Sequence, residues 1–209
     1  MLNPRHRLRG VTLIELMVGL VILGLLFAMG APAFGSWIQN SRIRTTAEAI
    51  QNGLQLARAE AVRRNNQVRF QLASSLDNTC SLSTTSSNWV VSINGANSGD
   101  PTGNCNSAPS DTTAPYIIQT RSSTQGSNNV VVAASQSTVA FNGLGRQASV
   151  TNLDGTVTSL ANVVIQVPDP AQAACAPAGS VRCMQVQVSL AGQIRMCDPA
   201  LASTDPQGC

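Results

Sequence analysis

Residues 10–31 read GVTLIELMVGLVILGLLFAMGA, and everything on either side of this stretch takes its meaning from it. From Val11 to Ala31 the run is about 21 residues long, close to the ~20 that a helix needs to cross the hydrocarbon core of a bilayer. Arg5, Arg7 and Arg9 precede it. A basic flank of this kind stays on the cytoplasmic side, so the chain is expected to leave the membrane outward. Glu15 breaks the apolar pattern near its start. A carboxylate costs a few kcal/mol at the bilayer centre and less near the interface, so Glu15 is either shallow and hydrated or matched to a partner.

The rest of the chain agrees with an exit from the cytoplasm. Six cysteines, Cys80, Cys105, Cys175, Cys183, Cys197 and Cys209, all lie beyond the apolar run. None forms a close C-x-x-C pair, and the only histidine is His6, so a metal centre has no ligand set in the body. Disulfides are the better reading and imply an oxidising compartment. Cys80 with Cys105, Cys175 with Cys183 and Cys197 with Cys209 are the short closures. Crossed pairings such as Cys183 with Cys197 stay open, because six cysteines allow many connectivities. All 13 basic residues are arginine, and ten remain after Arg9 to balance the ten carboxylates. A near-neutral body gives no general reason to expect nucleic acid as a partner.

Beyond the apolar run, helical character continues from about Trp37 to Arg64. Ile43, Ala47, Ile50, Leu54, Ala57 and Ala61 recur at alternating spacings of four and three, which draws a narrow apolar stripe along one helix face. That stripe is expected to pack on the chain's own body, and Asn65-Asn66 is a plausible stop. After residue 66 the period changes to short alternations. Val68–Leu72, Trp89–Ile93, Tyr116–Thr120, Val130–Ala133, Thr138–Phe141, Val163–Val167, Val181–Ser189 and Ile194–Met196 read as strands, with a turn at Ala191-Gly192. Ser- and Asn-rich stretches at 73–88, 94–114 and 122–129 read as surface loops. The expected fold class is α+β: a long N-terminal helix, first transmembrane and then amphipathic, packed on an antiparallel, β-rich C-terminal domain.

Gly10 followed by Val11-Thr12-Leu13-Ile14-Glu15-Leu16 resembles the class III leader of type IV pilins and pseudopilins. The resemblance implies that a prepilin peptidase cuts between Gly10 and Val11 and that the new amine on Val11 is methylated. It implies that Glu15 pairs with the terminal amine of a neighbouring subunit during assembly, which makes physical sense because a buried ammonium and carboxylate each cost much alone and less together. It also gives Pro32 a role as a helix kink. Val11 departs from the phenylalanine usual in the family. A helix followed by this many strands is similar to the GspH/FimT-type minor subunits. The domain plan that follows is residues 1–10 as a cytoplasmic leader, 11–33 as the membrane and assembly helix, 34–66 as its amphipathic continuation and 67–209 as the β-rich domain with stapled loops. The partners implied are other pilin subunits, the peptidase and the bacterial inner membrane, with the C-terminal domain periplasmic and the subunit later extracted into a filament that it helps to initiate or cap.

Two other readings compete. Some FimT-like minor pilins take up DNA through a Gly-Arg-x-Arg element. The matching stretch here is Gly192-Gln193-Ile194-Arg195, with Gln193 in place of the first arginine, and Arg146, Arg182 and Arg195 are the candidate DNA contacts. Ala31-Pro32-Ala33 could instead end a conventional secretory signal, but the apolar run is long for one and holds Glu15. No enzymatic function is expected, because the body has no histidine to act as a base and no free thiol is expected as a nucleophile. Gly143-Leu144-Gly145-Arg146 is too short for a phosphate loop. No cofactor or small-molecule substrate is implied.

Overall fold

The computed structural model describes residues 11–94, 99–125, 130–171 and 174–209, excepting the side chains of 29–33. Gly10 and the expected leader therefore lie outside the described residues, as does the Pro32 side chain. The elements in chain order are α1 (Leu13–Arg64), β1 (Val68–Ala73), β2 (Asn88–Ile93), β3 (Ile117–Arg121), β4 (Ala133–Ala134), β5 (Thr138–Phe141), β6 (Gln147–Ala148), β7 (Val163–Val167), β8 (Met184–Val188) and β9 (Ile194–Cys197). The chain forms two compact units, Met1–Ile38 and Gln39–Cys209, with the boundary inside α1.

In the first unit α1 is apolar on every face. Leu13, Ile14, Leu16, Met17, Leu20, Val21, Leu25 and Phe27 are all exposed. A helix without a polar face finds no stable surface in water and needs lipid or other helices around it. Phe34 and Trp37 make a tilted ring contact at 5.8 Å between centroids.

In the second unit the stripe read from the sequence is the helix's buried face. Ile43, Ala47, Ile50, Leu54, Ala57 and Ala61 have no exposed surface. The first sheet, of order β3-β2-β1-β5-β6, presents Val68, Phe70, Leu72, Trp89, Val139 and Phe141 to the same core. The second sheet, β4-β7-β8-β9, adds Val163, Ile165, Val167, Val186 and Val188. Every strand pair is antiparallel. Small residues in the stripe let helix and sheet approach closely. A Cβ on Gly53 would sit 2.8 Å from Phe70 Cε2 and 3.1 Å from Trp89 Cε2.

The helix stops where Asn65-Asn66 predicts. Asn65 takes a left-handed conformation, φ 46°, its N–H donates to the Val62 carbonyl and the Asn66 N–H donates to the Ala61 carbonyl. This pair of reversed bonds caps the last carbonyls, and Asn tolerates the positive φ. Beyond shifts of a single residue, such as β3 starting at Ile117 after the positive-φ Tyr116, strands depart from expectation in three places. β4 is only Ala133–Ala134, because Val132 N–H goes to the Thr85 carbonyl instead. β8 starts at Met184, since Val181 bridges Cys175 and Cys183 is tied to Cys175. β6 has too short a run to show in the sequence and forms by pairing with β5.

Disulfides join Cys80 to Cys105, Cys175 to Cys183 and Cys197 to Cys209. The first holds the 99–105 segment against the outer face of the first sheet, so part of a stretch expected on the surface is buried. Its Asp100 and Cys105 are both buried.

Candidate functional site

The first turn of α1 carries the one carboxylate in the exposed apolar segment. Thr12 precedes the helix, and its Oγ1 accepts the Glu15 N–H at 3.3 Å. Glu15 Oε2 in turn lies 3.5 Å from the Thr12 N–H. This is a capping box, in which two amides that lack helical partners are satisfied reciprocally. The partial positive charge of the helix N-terminus also favours a carboxylate here. The arrangement escapes a reading of hydropathy and charge, although a T-x-x-E spacing ahead of an apolar run signals it. Both contacts are long, so the carboxylate keeps acceptor capacity for a cation brought by another molecule. Val11, at the start of the described chain, is exposed beside it. Among the described residues no helix is long and apolar enough to cross a membrane. The described side chains of the apolar run stop at Ala28.

The three candidate DNA contacts are not gathered into one cluster. Arg182 Nη1 lies 3.9 Å from Asp198 Oδ2, while the Arg182 N–H donates to Asn40 Oδ1 at 2.7 Å. Arg195 Nη2 donates to the Gly208 carbonyl. Both arginines thus border the loop closed by Cys197 and Cys209. Arg146 is exposed at the other end of the β8–β9 hairpin, beside Gly192.

A second constellation is invisible in the sequence pattern. On the outer face of the first sheet, Arg69 and Gln71 of β1 are buried with Asp100 and Asn152. Arg69 Nη1 lies 3.0 Å from Asp100 Oδ2, and Arg69 Nη2 donates to Asn94 Oδ1. Asp100 also accepts from Thr102 N–H at 2.9 Å, Thr102 Oγ1 at 2.6 Å, Leu153 N–H at 2.8 Å and Gln71 Nε2 at 3.2 Å. Burial pushes the Asp100 carboxyl up, but the Thr102 side-chain and backbone bonds, the Leu153 N–H and the Arg69 charge together hold it below the usual carboxylate range. Burial likewise lowers the Arg69 guanidinium from its ordinary value, with Asp100 opposing. The group is a structural clasp: Asp100 holds the 99–105 and 151–153 segments to β1 through Arg69, Gln71 and the Leu153 N–H, while the buried Arg69 Nε has no hydrogen-bond partner. Among the described residues no three His, Cys, Asp or Glu side chains are grouped to hold a metal ion, and all six cysteines are disulfide-bonded.

Comparison with known proteins gives two family matches. Residues 46–192 match the family model described as Type II transport protein GspH. Residues 5–31 match the prokaryotic N-terminal methylation motif. No curated protein matches the chain. Two crystal forms of the type IV minor pilin FimU of Pseudomonas aeruginosa are similar to it. One shares 15% identity over 80% of this chain and 94% of that one, with a TM-score of 0.42. The other shares 14% over 79% and 98%, also at 0.42.

Proposed function

This chain belongs to the Type II transport protein GspH family, and from that premise we propose that it is a minor pilin or pseudopilin held in the inner membrane by its N-terminal helix and released from it into a type IV or type II secretion filament, which it helps to initiate or cap. The observation that carries this reading is the segment from Val11 to Phe27, apolar all round yet bearing Glu15 in its first turn. Neither water nor lipid suits both features. A neighbouring helix that brings a terminal ammonium suits both, because apolar faces pack while the two charges neutralise each other. Cleavage between Gly10 and Val11 creates that ammonium, and the loss of Arg5, Arg7 and Arg9 leaves ten arginines against ten carboxylates.

The test compares Glu15→Ala and Glu15→Gln with the unaltered chain, reading membrane insertion and filament incorporation separately. Insertion is expected to be unchanged and incorporation to fall at least tenfold, the effect of about 1.4 kcal/mol. Normal incorporation of both variants would remove Glu15 from the mechanism. Mass spectrometry of the mature N-terminus checks the processing step. A chain starting at N-methylated Val11 fits, whereas a start near Phe34 means a conventional signal and ends the reading.

A further inference from the structure

Phe34 and Trp37 lie one turn apart on α1, near the end of the first unit, with their rings in contact at 5.8 Å. Phe34 is 64% and Trp37 65% exposed, whereas the chain's other tryptophan, Trp89, is buried. An exposed indole suits neither water nor hydrocarbon, because the ring is apolar while its N–H needs an acceptor. The boundary between the two suits both parts, which is why tryptophan gathers at the rims of bilayers. Helical side chains lean toward the N-terminus, so the Trp37 ring folds back over the turn that carries Phe34.

The length of helix between this pair and Glu15 singles out one register across a bilayer. Glu15 and Phe34 are 19 positions apart on α1, and none of the residues between them is charged. At 1.5 Å per residue that is about 29 Å, against about 30 Å of hydrocarbon. Trp37 stands about 4.5 Å further along. Centring the bilayer on the apolar run from Val11 to Ala31 instead would sink Glu15 about 6 Å into hydrocarbon and leave Trp37 about 9 Å beyond the opposite edge. That placement is the worse one at both ends, since the carboxylate loses hydration and the indole gains no apolar surroundings.

We propose that, before assembly, Phe34 and Trp37 occupy the headgroup boundary where the chain leaves the bilayer, which puts Glu15 at the opposite boundary. The Phe34 ring lies on the hydrocarbon side and the Trp37 N–H among the glycerol and headgroup oxygens. Drawing the helix outward by one turn then carries Glu15 about 5.4 Å into hydrocarbon, so its need for a partner ammonium arises on release from the membrane. The proposal rests on the membrane-anchor reading, and its test separates the two.

Mature full-length chain would be placed in vesicles of phosphatidylcholine and phosphatidylglycerol whose acyl chains carry bromine either close to the headgroup or close to the terminal methyl. Trp37 is one of two tryptophans and Trp89 is shielded, so headgroup-side bromine should quench up to about half of the emission and methyl-side bromine clearly less. Trp37→Phe should abolish this loss, and at an exposed position it leaves folding alone. In that background Leu16→Trp reports the other end of the span and should again be quenched more by headgroup-side bromine. Stronger quenching by methyl-side bromine at either position overturns the register. An unquenched Trp37 in a chain that floats with the vesicles puts the aromatic pair outside lipid, and overturns the proposal while the anchor stands. A chain that does not float with the vesicles ends the anchor reading and this proposal with it.

Discussion

Replacing Asp100 with asparagine tests the clasp on the outer face of the first sheet. The substitution keeps the shape and removes the charge, so Arg69 stays buried without its counter-ion. Breaking one partner of a buried pair costs roughly 3–5 kcal/mol. Because an asparagine oxygen can still accept from Thr102, the lower end, about 3 kcal/mol, is expected. Arg69→Met alone should cost about 2 kcal/mol, since Asp100 keeps its donors from Thr102 and Leu153. With both changes neither charge is left alone, so the double variant should be about 2 kcal/mol more stable than the sum predicts. The fragment 39–209 contains every residue of the core cluster and a single tryptophan, Trp89, buried against Phe70. Urea unfolding followed by Trp89 fluorescence therefore reads the body directly.

The pH dependence follows from the same geometry. The folded Asp100 carboxyl is held below its unfolded value of about 3.9. Its contribution to stability is then fully present above that value and is lost as pH falls through the folded pKa. The unaltered fragment should hold its urea midpoint from about pH 7 to 5 and weaken below about pH 4, and Asp100→Asn should show a shallower acid limb. Additive single variants, or an unchanged acid limb, would refute the reasoning.

Two further changes probe the helix–sheet contact and its staple. Gly53→Ala should destabilise the fragment by about 1–2 kcal/mol, even though alanine favours helix by about 1 kcal/mol, because the new methyl would meet two buried rings. A rise in the urea midpoint would mean that helix and sheet separate easily. Replacing both Cys80 and Cys105 with alanine should cost about 3 kcal/mol. Hydrogen exchange at 99–105 should quicken more than in β1, and uniform quickening would show that the disulfide supports the whole sheet.

The amino-acid sequence alone determined the features that depend on neighbours along the chain. The apolar run, its glutamate and the arginines before it follow from transfer energies residue by residue. The stripe from Ile43 to Ala61 and most strands follow from periods of 3.6 and 2, and each stripe residue is in the core because one helix face must be covered. The helix end at Asn65 is local too, set by one residue that tolerates positive φ. Only the tertiary structure decided which distant polar groups meet. Arg69 resembles any arginine on an alternating strand, and Asp100 lies in a stretch that reads as loop. Burial of both depends on the Cys80–Cys105 link drawing that loop over β1. The bond from Arg58 to the Gly145 carbonyl and the close approach of Gly192 to Gly145 have the same origin, since a helix end and two turns far apart in sequence converge there through sheet pairing. Contacts between remote segments are fixed by loop closure and register, and neither is written in any short window of sequence.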